Sequence, residues 1–198
     1  MSTRQLRVAI LISGGGSNMQ VLASAATAPD FPAEIRLVLS NKPDAGGLEK
    51  ARALGIATAT VDHKPYGADR EAFEREIDTL LRINEIELVC LAGFMRVLTP
   101  WFVTRWQGRL INIHPSLLPL YRGTHTHRQA LDAGATEHGC SVHWVVPELD
   151  AGPVIAQARV PVMPGDTEET LAARVLVQEH LLYPQALRQV AADMQTKA

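Results

Sequence analysis

Leu110-Ile111-Asn112-Ile113-His114-Pro115-Ser116-Leu117-Leu118-Pro119 combines an apolar strand with a polar end. Alternate side chains of a strand point to opposite faces, so Ile111 and Ile113 face one way and Asn112 and His114 the other. Pro115 has no N–H to give to a ladder, so the strand is expected to stop there. An amide and an imidazole then sit side by side at the carboxyl end of a buried strand, where open α/β sheets bind ligands. An amide donor beside a protonatable ring suits a carbonyl whose oxygen becomes negative during reaction. A polar pair serving turn chemistry is the alternative.

The flanking segments place this strand in a sheet. Leu6–Ile12 is a near-continuous apolar run with one arginine, as in a parallel strand buried on both faces. Ser13-Gly14-Gly15-Gly16-Ser17-Asn18 follows, then a helix over 19–26. Strands are predicted over 34–40, 56–61 and 86–91, and helices over 46–54 and 69–82. In the last of these Phe73, Ile77, Leu80 and Leu81 recur at helical spacing, and Asp69 can cap the start. Strand–helix alternation predicts parallel pairing with right-handed crossovers. Past about residue 136 the texture changes: 139–146 and 153–160 are two strands joined by a short Pro/Gly/Asp loop, a hairpin that makes the sheet mixed. A last helix opens at Asp166 with Glu169 as its capping-box partner, and Pro184 interrupts it before a polar tail. The predicted class is α/β: a Rossmann-like, mostly parallel sheet with helices on both faces and a late antiparallel hairpin, in one domain spanning 1–198.

Composition narrows the function classes. A formal net charge of −2 argues against a nucleic-acid binder working by bulk charge, while leaving room for a local anion site. No apolar run reaches the roughly 18 residues of a membrane span. The N-terminus lacks a secretory apolar region and cleavage site. Cys90 and Cys140 lie in apolar runs and read as free, buried thiols in a reducing cytoplasm, with a disulfide as the alternative. A cytoplasmic location is the expectation.

Several groups can carry chemistry. The glycine loop exposes N–H groups at a helix N-terminus and suits a phosphate monoester held by Gly16, Ser17 and Asn18. It is not G-x-G-x-x-G and no Lys follows it, so neither a dinucleotide fingerprint nor a P-loop is present. A plain tight turn is the alternative. Asp150, in Glu148-Leu149-Asp150-Ala151-Gly152-Pro153, is either an Asx turn or a carboxylate beside His114 that favours the imidazolium and orients a water. His125, His127, His138 and His143 have spacing permissive for a metal, with His125-x-His127 on a strand, but no H-E-x-x-H or Cys pair supports one. No metal is expected, and His125 and His127 can instead surround the cleft. Glu179, on or beside the apolar stripe of Val175 and Leu182, is a surface charge or a hydroxyl acceptor, for example to a ribose. The run Leu91-Ala92-Gly93-Phe94-Met95-Arg96-Val97-Leu98 offers apolar side chains and free backbone for a flat heterocycle, or ordinary core packing.

Four segments together resemble the phosphoribosylglycinamide formyltransferase family, folate-dependent enzymes of purine synthesis. They are Ile12 through Asn18, Leu91 through Arg96, Asn112 through Pro119, and Leu149 through Pro153, and the likeness runs through nearly the whole chain. The Asn-x-His-x-Ser-x-Leu-Pro run marks the wider formyltransferase superfamily. The resemblance implies transfer of the formyl group of 10-formyltetrahydrofolate, a co-substrate, to the amine of glycinamide ribonucleotide. It implies Asn112, His114 and Asp150 as the catalytic trio. It implies Gly16, Ser17, Asn18, Met19 and Gln20 on the phosphate side of the ribonucleotide, with Leu176, Val177, Gln178 and Glu179 meeting the ribose. Met95, Arg96, Val97 and Leu98, Asn112, and Val146, Pro147, Glu148, Leu149 and Asp150 would line the folate pocket, with Arg70 near the glutamate tail. Two departures from the family pattern stand out: Gly15, where relatives often carry a bulkier residue, and Leu120-Tyr121-Arg122-Gly123, which lacks a lysine often found after the Leu-Pro and has Arg122 two positions later as the alternative charge. The expected partners are those two small molecules, with no nucleic acid and no membrane, in a monomer or homodimer. The rival readings are a formyltetrahydrofolate hydrolase, a methionyl-tRNA formyltransferase and a non-catalytic nucleotide-binding module.

Overall fold

A computed structural model describes residues 4–196. The elements in chain order are β1 (Leu6–Ile12), α1 (Ser17–Ala25), β2 (Ala33–Ser40), α2 (Gly46–Ala53), β3 (Ala57–Thr60), α3 (Arg70–Ile83), β4 (Leu88–Leu91), α4 (Pro100–Arg105), β5 (Leu110–His114), α5 (Thr126–Asp132), β6 (Glu137–Trp144), β7 (Val154–Pro161) and α6 (Glu168–Thr196). A single 3-10 turn covers Lys64–Tyr66.

The apolar run of β1 is buried on both faces. Val8, Ile10 and Ile12 enter one apolar layer, and Ala9 and Leu11 the other. Burial on two faces demands helices on both sides of the sheet. Met19 and Leu22 of α1, Leu48 of α2 and Val175 and Leu187 of α6 fill the first layer. Phe73, Ile77 and Leu81 of α3, with Phe102 of α4 and Trp106 just after it, fill the second. The heptad-like spacing in α3 therefore faces the sheet, and Asp69 Oδ1 caps it by accepting from Ala72 N–H at 3.0 Å.

The strands form one seven-stranded sheet in the order β3-β2-β1-β4-β5-β6-β7. Pairing is parallel from β3 through β5 and antiparallel for β5–β6 and β6–β7. The chain runs outward from β1 to β2 and β3, then returns to β4 on the other side. Strand order thus reverses between β1 and β4, the point beyond whose carboxyl ends open α/β sheets place a ligand crevice. Gly139 permits the close approach of β6 and β7: a Cβ there would lie 2.0 Å from the carbonyl oxygen of Ala158.

Five expectations need correction. Several element boundaries shift by one or two residues; β4, for example, starts at Leu88 rather than Ile86, because Ile86 N–H closes the end of α3 by donating to Leu81 O. α4 and α5 were not anticipated, having 6 and 7 residues, too few for a helical repeat to show. The pair His125 and His127 lies on α5 rather than a strand: His125 is its left-handed cap residue, and His127 faces β6, its Nδ1 3.1 Å from Nε2 of His138. The box at the start of α6 belongs to Thr167 and Thr170, each backbone N–H bonding the other's hydroxyl, while Asp166 binds Arg174. Pro184 does not end α6. It forfeits one intrahelical bond, and the buried Tyr183, Ala186, Leu187 and Val190 keep the helix on the sheet across that gap.

Two outcomes are expected. Gly139→Ala should destabilise the protein by about 2–3 kcal/mol in urea unfolding, since β7 must move to admit the methyl group. Burial, chiefly, holds His138 down at about 4 and lowers His127 as well. Between about pH 6.5 and pH 4 the unfolded chain therefore binds protons that the folded chain refuses. Stability should fall with acidification through that window, by up to about 1.4 kcal/mol per pH unit for each proton. Unfolding midpoints for His138→Gln should show a shallower slope, and an unchanged slope would contradict the assignment.

Candidate active site

The crevice begins at the glycine loop after β1. Gly16 caps α1 in the left-handed region, with φ of 70°, and no side chain caps the helix. The N–H groups of Ser17, Asn18 and Met19 open α1 without intrahelical acceptors, as at any helix start. They form the anion-binding end of the macrodipole. Gly47, at the start of α2, donates its N–H to Gly14 O at 3.0 Å. A Cβ on Gly16 would come within 2.9 Å of Gly47 Cα, so the loop needs glycine for contact as well as for φ. The Lys50 ammonium, absent from the loop's own sequence, arrives from α2 and donates to Gly15 O at 2.8 Å. Met19 faces the core, so only its backbone is offered to the crevice, and Gln20 is exposed.

Ser13 ties this loop to the one after β4. Its N–H donates to Gly93 O at 3.1 Å, and its hydroxyl accepts from Met95 N–H at 2.8 Å while donating to Asn41 Oδ1 at 2.6 Å. From the other side Arg70 Nη1 donates to Val97 O at 3.2 Å. The segment is held by its backbone, leaving Met95 71% and Val97 58% exposed at the crevice edge. Arg96 lies over the Phe73 ring. Leu98 is instead buried in the layer beneath α3 and α4.

β5 and β6 supply the polar centre. Antiparallel pairing sets Asn112 opposite His143, on one face of the sheet. His143 Nδ1 lies 2.9 Å from Trp144 O, which can only accept, so that nitrogen carries the proton. Burial, the largest influence, lowers the His143 pKa and favours the neutral ring. Nε2 is then an acceptor, and Asn112 Nδ2 donates to it at 3.2 Å. This fixes which way the amide points and leaves its second N–H available. His143 is the site residue that sequence reasoning failed to place. The strand register held the signal, since an antiparallel partner of β5 had to set something opposite Asn112.

His114 ends β5 and is buried. Its Nε2 lies 3.0 Å from Tyr121 O, and its Nδ1 3.5 Å from Asp150 Oδ2. Both ring nitrogens thus face acceptors, an arrangement that a ring with two N–H groups satisfies. Asp150 is turned inward by a left-handed backbone, φ 49°, and its Oδ2 also accepts from Gly123 N–H at 2.8 Å. Gly152 makes the corner possible: a Cβ there would lie 1.7 Å from Trp144 O. Val146 is half-buried, and Pro147, Glu148 and Leu149 form an exposed rim. Arg122 pairs with Glu148 at 3.1 Å, so its charge is matched within that rim.

α6 closes the other wall. Tyr183 is buried and donates its hydroxyl to Leu91 O at 2.9 Å, the carbonyl at the end of β4. One turn earlier on the same face, Glu179 accepts from Asn18 Nδ2 at 2.7 Å. Burial pushes the Glu179 carboxyl up, against the Asn18 hydrogen bond and the His180 and His114 charges that pull it down. The Oδ1 of Asn18 is buried without a partner. Gln178 is half-buried, while Leu176 and Val177 face outward. Glycine loop, β4 loop, Asn112, His114, Asp150 and Glu179 therefore share one end of the sheet. His127 and His138 pair with each other behind it, apart from His143.

The chain is similar to known proteins over most of its length. The formyl transferase family model matches residues 6–187. Phosphoribosylglycinamide formyltransferase of Escherichia coli K12 is 52% identical over 179 residues, covering 90% of this chain and 84% of that protein. The trifunctional purine biosynthetic protein adenosine-3 of Bos taurus is 49% identical over 188 residues, and there the match takes up 18% of a much longer protein. The crystal structure of phosphoribosylglycinamide formyltransferase from Brucella melitensis superposes with a TM-score of 0.91 at 54% identity, over 96% of this chain and 97% of the other. With its mixed sheet, a family model matching residues 6–187 and similarity over nearly its full length, this chain belongs to the formyl transferase family.

Proposed function

We propose that the chain transfers the formyl group of 10-formyltetrahydrofolate to the amine of glycinamide ribonucleotide, giving formylglycinamide ribonucleotide and tetrahydrofolate in purine biosynthesis. The observation that carries this reading is the convergence of Asn112 and His114, side by side on β5, with Asp150 from a distant loop, its carboxylate 3.5 Å from the His114 ring. The names of the similar proteins point to the same reaction.

The ribonucleotide phosphate lies on the N–H groups of Gly16 through Met19, with Lys50 and the helix dipole balancing its charge. Glu179 accepts from the ribose hydroxyls, and the neighbouring Leu176, Val177, Gln178 and Gln20 border that subsite. The folate head packs on Met95, Arg96, Val97 and the backbone of Leu98, against Val146 through Asp150, and Arg70 meets the glutamate tail. The amine nitrogen attacks the formyl carbon and a C–N bond forms. The carbonyl oxygen takes up negative charge between the free N–H of Asn112 and the His114 ring. Asp150, acting through a water, accepts a proton from the attacking amine and delivers it to the departing folate nitrogen as that C–N bond breaks. In this reading the protein works in the cytoplasm, which the free buried thiols Cys90 and Cys140 suit.

Incubation with 10-formyltetrahydrofolate should release tetrahydrofolate only when glycinamide ribonucleotide is present. Release without the ribonucleotide would establish a hydrolase instead. His114→Ala and Asp150→Asn should each lower turnover by on the order of 10²-fold or more while ribonucleotide binding, measured by calorimetry, changes little. Parent-like turnover in either variant would remove that residue from the mechanism.

A further inference from the structure

Glu74 is a buried acid that the proposed reaction does not use. It lies on α3 where that helix meets Thr99, just before α4, and is 1% exposed. Its carboxylate accepts from the backbone N–H of Thr99 at 2.7 Å and from the Thr99 hydroxyl. Burying a carboxylate costs free energy unless its oxygens are hydrogen-bonded. Burial pushes the Glu74 carboxyl up, and the two Thr99 donors and the nearby Arg70 oppose that.

Capping of α4 does not account for it. The Thr99 hydroxyl already serves as that cap, facing Phe102 N–H at 3.5 Å. What Glu74 adds is a tie between α3 and the end of the β4 loop. The same face of α3 touches that loop twice more: Arg70, four residues earlier, through Val97 O, and Phe73 through the Arg96 guanidinium, 5.7 Å from the ring. On its opposite side the loop is fastened to Ser13 through Gly93 and Met95. A segment of seven residues, Gly93 to Thr99, is thus pinned at both ends, with Met95 and Val97 left facing outward.

We infer that Glu74 is a positioning residue for formyl-folate recognition: by anchoring Thr99 it holds the Met95–Leu98 edge in its binding conformation before the folate arrives. The inference rests on the folate assignment of that loop made above. Holding the loop beforehand spares the folate its ordering cost. Loss of the tie should therefore weaken folate binding and leave the ribonucleotide subsite, on the glycine loop and α6, untouched.

The test compares Glu74→Gln, Thr99→Val and Thr99→Ser with the parent. Glutamine keeps the size of Glu74 but points an N–H₂ at a donor; valine removes the hydroxyl, and serine restores it. Loss of one charge-assisted hydrogen bond translates into about a fivefold to tenfold rise in KM for 10-formyltetrahydrofolate in the first two variants. KM for the ribonucleotide and kcat should stay within about twofold, and Thr99→Ser should behave as the parent. Calorimetric binding of tetrahydrofolate should show the same weakening, a readout that needs no turnover. A fall in kcat with both KM values unchanged would mark a merely structural contact and overturn the inference. So would a larger effect on the ribonucleotide, or a parent that binds no tetrahydrofolate. If the parent binds tetrahydrofolate and the variants bind it more weakly, yet no transfer occurs, the reaction assignment fails and the role of Glu74 stands. Should Glu74→Gln not fold, the Thr99 pair decides alone.

Discussion

The structure depends on one constraint: a strand buried on both faces can carry polar side chains only where the sheet ends. β1 and β4 are such strands, and their middles are apolar because two helical layers press on them. Polar groups concentrate at the carboxyl side of the sheet, as Ser13 and the glycine loop after β1, the Gly93–Met95 turn after β4, and Asn112 with His114 in the last three positions of β5. The reversal of strand order between β1 and β4 leaves that edge open. The place of the chemistry is thus a consequence of core packing as much as of the reacting groups.

A polar centre placed in so buried a position must satisfy itself, and the way it does so orients it. Trp144 O takes the Nδ1 proton of His143, His143 Nε2 then accepts from Asn112, and the remaining Asn112 N–H is left pointing onward. Tyr121 O and Asp150 occupy the two nitrogens of His114. Each group finds its partner in a backbone carbonyl, a carboxylate or, for Asn112, an imidazole nitrogen, with little freedom to rotate away. This is preorganisation in a concrete form: donors are aimed before a ligand is present, so the reaction need not reorder them.

The helices act as calipers for the loops. Tyr183 fixes the depth of α6 against the end of β4, and Glu179, one turn away, meets Asn18 as a result. On the other face α3 grips the β4 loop through Arg70 and Glu74. The two proposed substrate subsites therefore lie on opposite layers of the sheet edge and are linked through the Ser13 hydroxyl.

Much of this was legible in the chain. The alternation within Leu110–His114, the double-faced burial of Leu6–Ile12 and the helical spacing of Phe73, Ile77 and Leu81 are local periodicities, and local periodicity reports which face an element buries. The positions of Asn112, His114 and the glycine loop at strand ends followed from proline and glycine, whose effects on the backbone are equally local. Short α4 and α5 carried too few residues for a period, and Pro184 misled because tertiary packing outweighed one missing hydrogen bond. What the chain alone did not reveal were the partnerships: His143 with Asn112, Lys50 with Gly15, Glu179 with Asn18, Glu74 with Thr99. These residues are from 25 to 161 positions apart in sequence. Which of them meet depends on strand register and helix depth, and those are settled only when all the layers pack at once.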